Sequence, residues 1–358
     1  MATPRTHTAI AFVGARKPLE AIRVSTAAPE DDEILIRPPP RRRGLLMQPG
    51  AIFGHTTVGV VEATGPATSG RLRIGDRVFG WAFQEPRYRA HQEYVTAPEW
   101  MFGKIPRNIS PEEAATVPEN LITVFNTMAT DLGLPTPWPK PENYVPDRAD
   151  DPVLVWGAAS SVGQFALQVL RWYGYRHVLA TASPSHHEYL RGLGAVACLD
   201  YRDPDVGEKV LAAAAEIQGK GATRGTRRLR PILEKKIAQP GSVVAVMLPV
   251  ILTHASADQV PEYEMDAPKA ARSLGVTESS GVMVKGVRTF FIYDNSRFFK
   301  EKLPSEIMPA LLEQGIVTPQ RFRVVEGGTI LEREENALRE MREGGVSGVK
   351  LVWRTSDK

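Results

Sequence analysis

Apolar positions in the first 135 residues fall in short runs broken by glycine and proline, a rhythm of strands and turns rather than helices. Strands are predicted over 8–13, 33–37, 58–63, 77–80 and 92–96. Residues 56–65 and 72–80 flank the turn formers Gly65-Pro66, Ser69-Gly70 and Gly75-Asp76, which predicts a compact antiparallel pair. Ser110-Pro111-Glu112-Glu113 predicts a helix start, with serine capping and proline at the first helical position; Pro118 is expected to end that helix.

Prolines 135, 137, 139, 141, 146 and 152 exclude a helix or central strand over that stretch and predict a surface connection. Beyond it, short apolar runs alternate with helical stretches: 153–156, 164–173, 178–182, 186–193, 196–199 and 243–248. That alternation predicts crossovers and a parallel sheet. A helix over 334–342 and a strand over 349–353 close the chain. No internal repeat is visible.

The stretch Gly157-Ala-Ala-Ser-Ser-Val-Gly163 stands between a buried-type strand and an apolar helix. A dinucleotide pyrophosphate needs that order: small residues admit the phosphates to the backbone, the helix N-terminus offers N–H groups, and Ser160 and Ser161 add hydroxyls. Gly157, Ser160, Ser161, Val162 and Gly163 are therefore candidate cofactor residues. The turn departs from G-x-G-x-x-G at its middle glycine, and tight strand–helix packing is the alternative explanation for its small residues. At the tip of the next strand, where an acid would bind a ribose 2′-hydroxyl, no carboxylate precedes Glu188. Ser183, Pro184, Ser185 and His186 instead suit a 2′-phosphate, and Tyr201 suits the adenine end, so NADPH is the expected cofactor. A capped helix start at Ser183 to Ser185 is compatible with the same residues.

A length of 358 residues predicts two domains. With 42% hydrophobic and 24% charged residues the composition is globular, and a net charge of +3 gives no reason to expect nucleic acid or an anionic membrane as partner. The single cysteine, Cys198, excludes an internal disulfide and suits a reducing compartment; with no signal-like start and no long apolar run, the expected location is cytoplasmic. Cys198 itself reads as a small apolar filler.

Taken in order, several stretches resemble the zinc-free medium-chain dehydrogenases/reductases, and among them the fungal trans-acting enoyl reductases of polyketide biosynthesis. They are Gly54-His-Thr-Thr-Val-Gly-Val-Val-Glu62, Gly75-Asp-Arg-Val-Phe-Gly80, His91-Gln-Glu-Tyr-Val95, Lys104-Ile-Pro106, Glu113-Ala-Ala-Thr-Val-Pro118, the cofactor turn, Leu193-Gly-Ala195, Asp200-Tyr201, Leu248-Pro249 and Gly345-Val-Ser-Gly-Val-Lys-Leu-Val352. The resemblance implies an α/β chain: a GroES-like β-rich domain over 1–135, completed by about 305–358, and a doubly wound, Rossmann-type parallel-sheet domain over 136–304 that binds NADPH. It implies a substrate cleft between the domains and an acyl substrate, small or carrier-bound, with a polyketide synthase as partner in trans. Leu121, Thr123, Val124, Phe125, Asn126, Thr127 and Met128 would meet the substrate, with Thr123 the catalytic hydroxyl; Leu248 and Pro249 would flank the nicotinamide, and Val346 and Ser347 would close over it. A hydroxyl bonding its own helix is the other reading of Thr123. The proton donor stays open between water, Thr123, Tyr88 and Tyr94.

No metal site is expected. His55 stands where zinc-dependent relatives carry a ligand, but Thr56 follows where they carry glutamate, no thiol precedes it, and the cysteines of a structural zinc site are lacking. No nucleophile motif is present, so the chemistry is expected from the cofactor. Two stretches depart from the family: 37–48, with Arg37-Pro-Pro-Pro-Arg41-Arg42-Arg43-Gly44, and 219–236, with Arg224, Arg227, Arg228 and Arg230, where a fourth sheet strand is expected. They leave open a cofactor-binding protein without turnover; a stand-alone quinone or enone reductase is the nearest rival.

Overall fold

The structure is a computed structural model that describes residues 6–14, 17–37, 50–219, 237–238, 240–253, 259, 261–273 and 281–355. Of the two departing stretches, only Arg37 and Gly219 lie within the described residues. The chain forms two compact units, residues 1–120 with 293–358, and residues 121–292.

The first unit opens with β1 (Thr6–Phe12), β2 (Glu20–Ser25), β3 (Glu33–Arg37), β4 (Ala51–Ile52), β5 (Thr56–Thr64), β6 (Arg77–Trp81), β7 (Val95–Pro98) and β8 (Phe102–Lys104). They build a three-stranded sheet in the order β2-β1-β4 and a five-stranded antiparallel sheet in the order β7-β3-β5-β6-β8. The predicted antiparallel pair is β5 with β6, in a register that sets Thr57 opposite Gly80. Ile34, Ile36, Val78, Val95 and Phe102 alternate inward from these strands into one buried cluster. The strand expected over 92–96 starts later, because Gln92 is held by its side chain: its amide donates to the Pro86 and Arg89 carbonyls at 3.0 and 2.7 Å. Strand β2 is mostly exposed, so it lacks the apolar alternation that reveals its neighbours.

Ser110 caps α1 (Pro111–Ala114) through a reciprocal capping box with Glu113, as its spacing predicts. Pro118 does not end that helix. It opens the next one, α2 (Pro118–Asn126), at the position where its missing N–H costs nothing.

In the second unit β9 (Val153–Val155), α3 (Ser161–Tyr173), β10 (Val178–Thr181), α4 (His187–Leu193), β11 (Ala197–Leu199) and α5 (Val206–Gly219) alternate. The strands pair in parallel in the order β11-β10-β9. There follow β12 (Val243–Met247), the antiparallel hairpin β13 (Val250–Thr253) and β14 (Glu262–Glu264), α6 (Ala267–Ser273) and β15 (Met283–Val287). Strand β15 runs parallel to β12. Among the described residues the parallel strands thus form a three-stranded and a two-stranded sheet rather than one continuous sheet, and the stretch expected to supply the strand between them lies outside those residues.

Residues 121–135 fall in the second unit, because Thr123 bonds Thr289 and Val124, Thr127 and Met128 share a cavity with β9. After α7 (Ile292–Asn295), α8 (Arg297–Lys302) and α9 (Met308–Glu313), the first unit is completed by β16 (Phe322–Val324), α10 (Ile330–Arg342) and β17 (Lys350–Val352). Buried Glu334 on α10 meets buried His91 at 2.5 Å, fastening the C-terminal helix to the strands. Among the described residues no helix is long and apolar enough to cross a membrane.

Candidate active site

Strand β9 leaves the sheet at Gly157, whose φ of +66° lies in the left-handed region that favours glycine. The turn is pinned to the end of β10: the Gly157 N–H donates to the Thr181 hydroxyl at 3.0 Å and the Ala158 N–H to the Thr181 carbonyl at 2.9 Å. Ser160 caps α3, its hydroxyl accepting from the Gly163 N–H at 3.2 Å. A Cβ on Gly163 would stand 2.6 Å from the Ala158 Cα, so this glycine is what lets helix and turn meet. The positive end of the 13-residue helix α3 is thereby presented at a turn without bulky side chains, the arrangement that receives a pyrophosphate.

At the tip of β10, Ser183 leads a single turn of 3-10 helix, Pro184–His186. Its hydroxyl lies 3.5 Å from the Tyr201 phenol, and Arg202 donates to both, at 3.1 Å to Ser183 and 3.3 Å to Tyr201. The Arg202 guanidinium also sits over the Tyr201 ring, 5.2 Å from its centre. The bond to Ser183 and then that to Arg202 hold the exposed Tyr201 phenol below its ordinary pKa. Asp200 faces the Arg202 backbone N–H at 3.0 Å and leaves the guanidinium to the hydroxyls. Two hydroxyls and a cation, Ser183 half-buried and Tyr201 and Arg202 exposed, make a site for a phosphate dianion. Arg202 escaped the sequence reading; its place directly after Tyr201, just beyond the end of β11, was the available signal.

A cavity of ≈ 100 Å³ runs along β9. Residues 153–156 of β9 and its exit line it with Val162 and Gly163 of α3, Val243 and Ala245 of β12, and Val124, Thr127 and Met128. Its wall is apolar apart from Thr127 and Ser160, so it suits a hydrocarbon group next to the phosphate turn. Thr123, 8% exposed, is not among the lining residues; it accepts a 3.1 Å hydrogen bond from the Thr289 hydroxyl, and Thr127 donates to its carbonyl at 2.8 Å. Asn126 donates at 3.1 Å to Asp131, at the end of a wide helical turn, Thr127–Asp131, of the kind often found at functional sites. Burial raises the Asp131 carboxyl to about 6, against the opposing charge of Lys285 on β15. Leu121 and Phe125 are fully buried away from the cavity, Phe125 edge-on to Tyr173.

No family model matches the chain. It is 31% identical over 321 residues to a trans-enoyl reductase, ACTTS2, of Alternaria alternata, covering 86% of this chain and 84% of that one. The chain belongs to the fungal trans-enoyl reductase family. It is also 28% identical, over 86% of its length and 85% of the relative's, to a zinc-type alcohol dehydrogenase-like protein of Schizosaccharomyces pombe. In fold it matches the crystal structure of the CurK enoyl reductase with a TM-score of 0.66 at 18% identity, over 98% of this chain and 99% of that one. These likenesses place this trans-enoyl reductase family member among the oxidoreductases of the medium-chain dehydrogenase/reductase superfamily, whose members generally bind a nicotinamide cofactor. The Gly157–Gly163 turn and the α3 N-terminus suit such a cofactor.

The remaining predicted residues of this family member lie in both units. Leu248 packs against the apolar cluster of β12 and α6, with Pro249 following. Val346, which precedes Ser347, packs in the first unit against the cluster of Val325, Ala337, Leu351 and Trp353. His55 is buried, with Nδ1 3.5 Å from Glu119 and its ring edge-on to Phe83. Among the described residues no group of three or more His, Cys, Asp or Glu forms a metal site. Tyr88 bonds Glu85 at 3.2 Å, and burial, then the charges of Glu85 and Glu33, push its phenol up to about 12. Burial also raises Tyr94, which stands edge-on to His7.

Proposed function

We propose that this chain is an NADPH-dependent, zinc-independent trans-acting enoyl reductase that reduces the C=C bond of an α,β-unsaturated thioester in polyketide-type secondary metabolism. The observation that carries the cofactor choice is the Ser183–Tyr201–Arg202 cluster, which offers a 2′-phosphate one cation and two hydroxyls where an NAD-selective site would place an acid. Membership of the trans-enoyl reductase family carries the substrate class.

In this reading the Gly157–Gly163 turn and the α3 N-terminus hold the pyrophosphate, and Ser183, Tyr201 and Arg202 hold the ribose phosphate. When bound, NADPH supplies the hydride that adds to the β-carbon of the double bond, and the α-carbon takes a proton. The chain's own contribution is orientation: residues around Thr123 to Met128 seat the acyl group, and the Thr123 hydroxyl polarises its carbonyl. The acyl chain is delivered on the carrier of a partner synthase, in the cytoplasm.

Titration with NADPH and NADH, followed by nucleotide fluorescence, tests the reading with Ser183→Asp as control. Tight NADPH binding, weak NADH binding and loss of NADPH binding in the variant support it. Equal affinity for the two nucleotides overturns the cofactor choice, and NADPH binding without turnover of any enoyl thioester overturns the reaction.

A further inference from the structure

The turn between β9 and α3 is held from two sides. Its near limb hangs on β10, through the Gly157 and Ala158 N–H groups and Thr181. Its far limb is held by Gln164 of α3, whose side-chain amide donates to the Ala159 carbonyl at 2.8 Å. The oxygen of the same amide accepts from the Tyr189 hydroxyl on α4 at 3.1 Å, across 25 positions of sequence. Gln164 is 2% exposed, so both bonds lie out of water.

An apolar side chain would fill this place on α3 without the cost of burying an amide. What the amide adds is a donor and an acceptor on one rigid plane, so that a single side chain joins the turn to α4. Helix α4 follows directly on the 3-10 turn Pro184–His186 that Ser183 leads, and its first residue is tied back to the end of β10: the His187 ring donates from Nε2 to the Ala182 carbonyl at 2.9 Å. A line of hydrogen bonds, carried through the first turn of α4, thus runs from the Ala159 carbonyl to the residue before Ser183. A ligand that engages both ends of this line gains when their spacing is fixed in advance, because less ordering remains to be done on binding. We infer that Gln164 and Tyr189 are positioning residues for the cofactor: Gln164 shapes the turn, and its bond to Tyr189 sets the distance from that turn to the Ser183 corner. This rests on the proposed reading that the turn holds a pyrophosphate and that Ser183, Tyr201 and Arg202 hold a ribose 2′-phosphate. NADPH, which would reach both subsites, should feel the loss of the Tyr189 bond more than NADH, which would reach only the turn.

The test uses the full chain with three variants: Tyr189→Phe, which removes only the hydroxyl, Gln164→Met, which keeps the length of the side chain and removes the amide, and the double variant. NADPH and NADH affinities are measured for each by nucleotide fluorescence, with thermal unfolding alongside. Tyr189→Phe is expected to weaken NADPH about threefold to tenfold, the effect of one lost hydrogen bond, and to leave NADH within about twofold, so that the preference for NADPH narrows. Gln164→Met should weaken both nucleotides, NADPH by about tenfold to thirtyfold, because the turn loses its hold on Ala159 as well. The double variant should bind NADPH like Gln164→Met, because the amide and the hydroxyl act as one unit. Unchanged NADPH affinity in Tyr189→Phe, an equal fall for both nucleotides in that variant, unchanged NADH affinity in Gln164→Met, or additive losses in the double variant each overturn the inference and leave the cofactor reading standing. Should Gln164→Met fail to fold, Tyr189→Phe alone decides. A wild type that binds the two nucleotides equally, or neither, overturns the reading and the inference together.

Discussion

Arg202 folds back over its neighbour Tyr201 and delivers one guanidinium nitrogen to the Ser183 hydroxyl at 3.1 Å. The contact brings together the ends of two neighbouring strands and leaves a cation at the surface. Replacing Arg202 with leucine is expected to weaken NADPH on the order of 10- to 100-fold, the worth of charge-assisted hydrogen bonds to a phosphate, and to leave NADH nearly untouched. Fluorescence titrations at low and high salt check this: the wild-type preference for NADPH should shrink as salt rises, and that of the variant should not.

Gly163→Ala tests the packing of the turn. The added Cβ would fall 2.6 Å from the Ala158 Cα and 2.8 Å from its carbonyl oxygen, both backbone atoms that cannot rotate aside. A loss of about 1–3 kcal/mol in stability is expected, with a matching fall in nucleotide affinity because the turn itself must move. Denaturant unfolding and nucleotide titration measure the two effects separately.

Asp131 sets a pH dependence. Burial raises its carboxyl from 3.8 to about 6, so the folded chain holds that proton more tightly than the unfolded chain does. Its contribution to stability is complete below the unfolded value and is lost as the pH rises through about 6. Asp131→Asn removes the charge and keeps an oxygen for the Asn126 amide. The variant should be more stable than the wild type by about 1–2 kcal/mol near pH 8 and equal to it near pH 4. Unfolding curves at the two pH values decide the matter; an equal gain at both would show that the carboxyl is not the cause.

His91 and Glu334 are both buried, and burial raises the Glu334 carboxyl while His91 opposes the rise. Glu334→Gln retains an acceptor for His91 and should change stability by less than about 1 kcal/mol at neutral pH. His91→Ala removes the buried carboxyl's ion-pair partner and should cost about 3–5 kcal/mol. Thermal unfolding of the two variants separates the hydrogen bond from the charge.

Local signals read well because their causes lie a few residues apart. Gly157, Ser160 and Gly163 report the turn that forms from them, and Ser110 with Glu113 reports its own capping box. Pro118 misled because proline interrupts one helix and opens another by the same missing N–H, and only the neighbouring elements decide which. Thr289 and Asp131 carried no signal at all. Thr289 matters through a partner 166 positions away, and Asp131 through the burial that the fold imposes on it. Arg202 was hidden in the same way, since a charge beside a turn reads as a solvated side chain until Ser183 is brought to it.

The first unit is assembled from both ends of the chain, while residues 121–292 are continuous. During synthesis the second unit can therefore close as soon as it leaves the ribosome, while the first is left with an open seam. His91 waits for a partner 243 residues downstream, and the β-rich sheets stay without α10 until that stretch has been translated. The interval in which an aggregation-prone strand edge is exposed is thus set by the speed of translation through residues 121–292, and a nascent chain stalled before residue 330 would carry a finished second unit beside unfinished β-sheets.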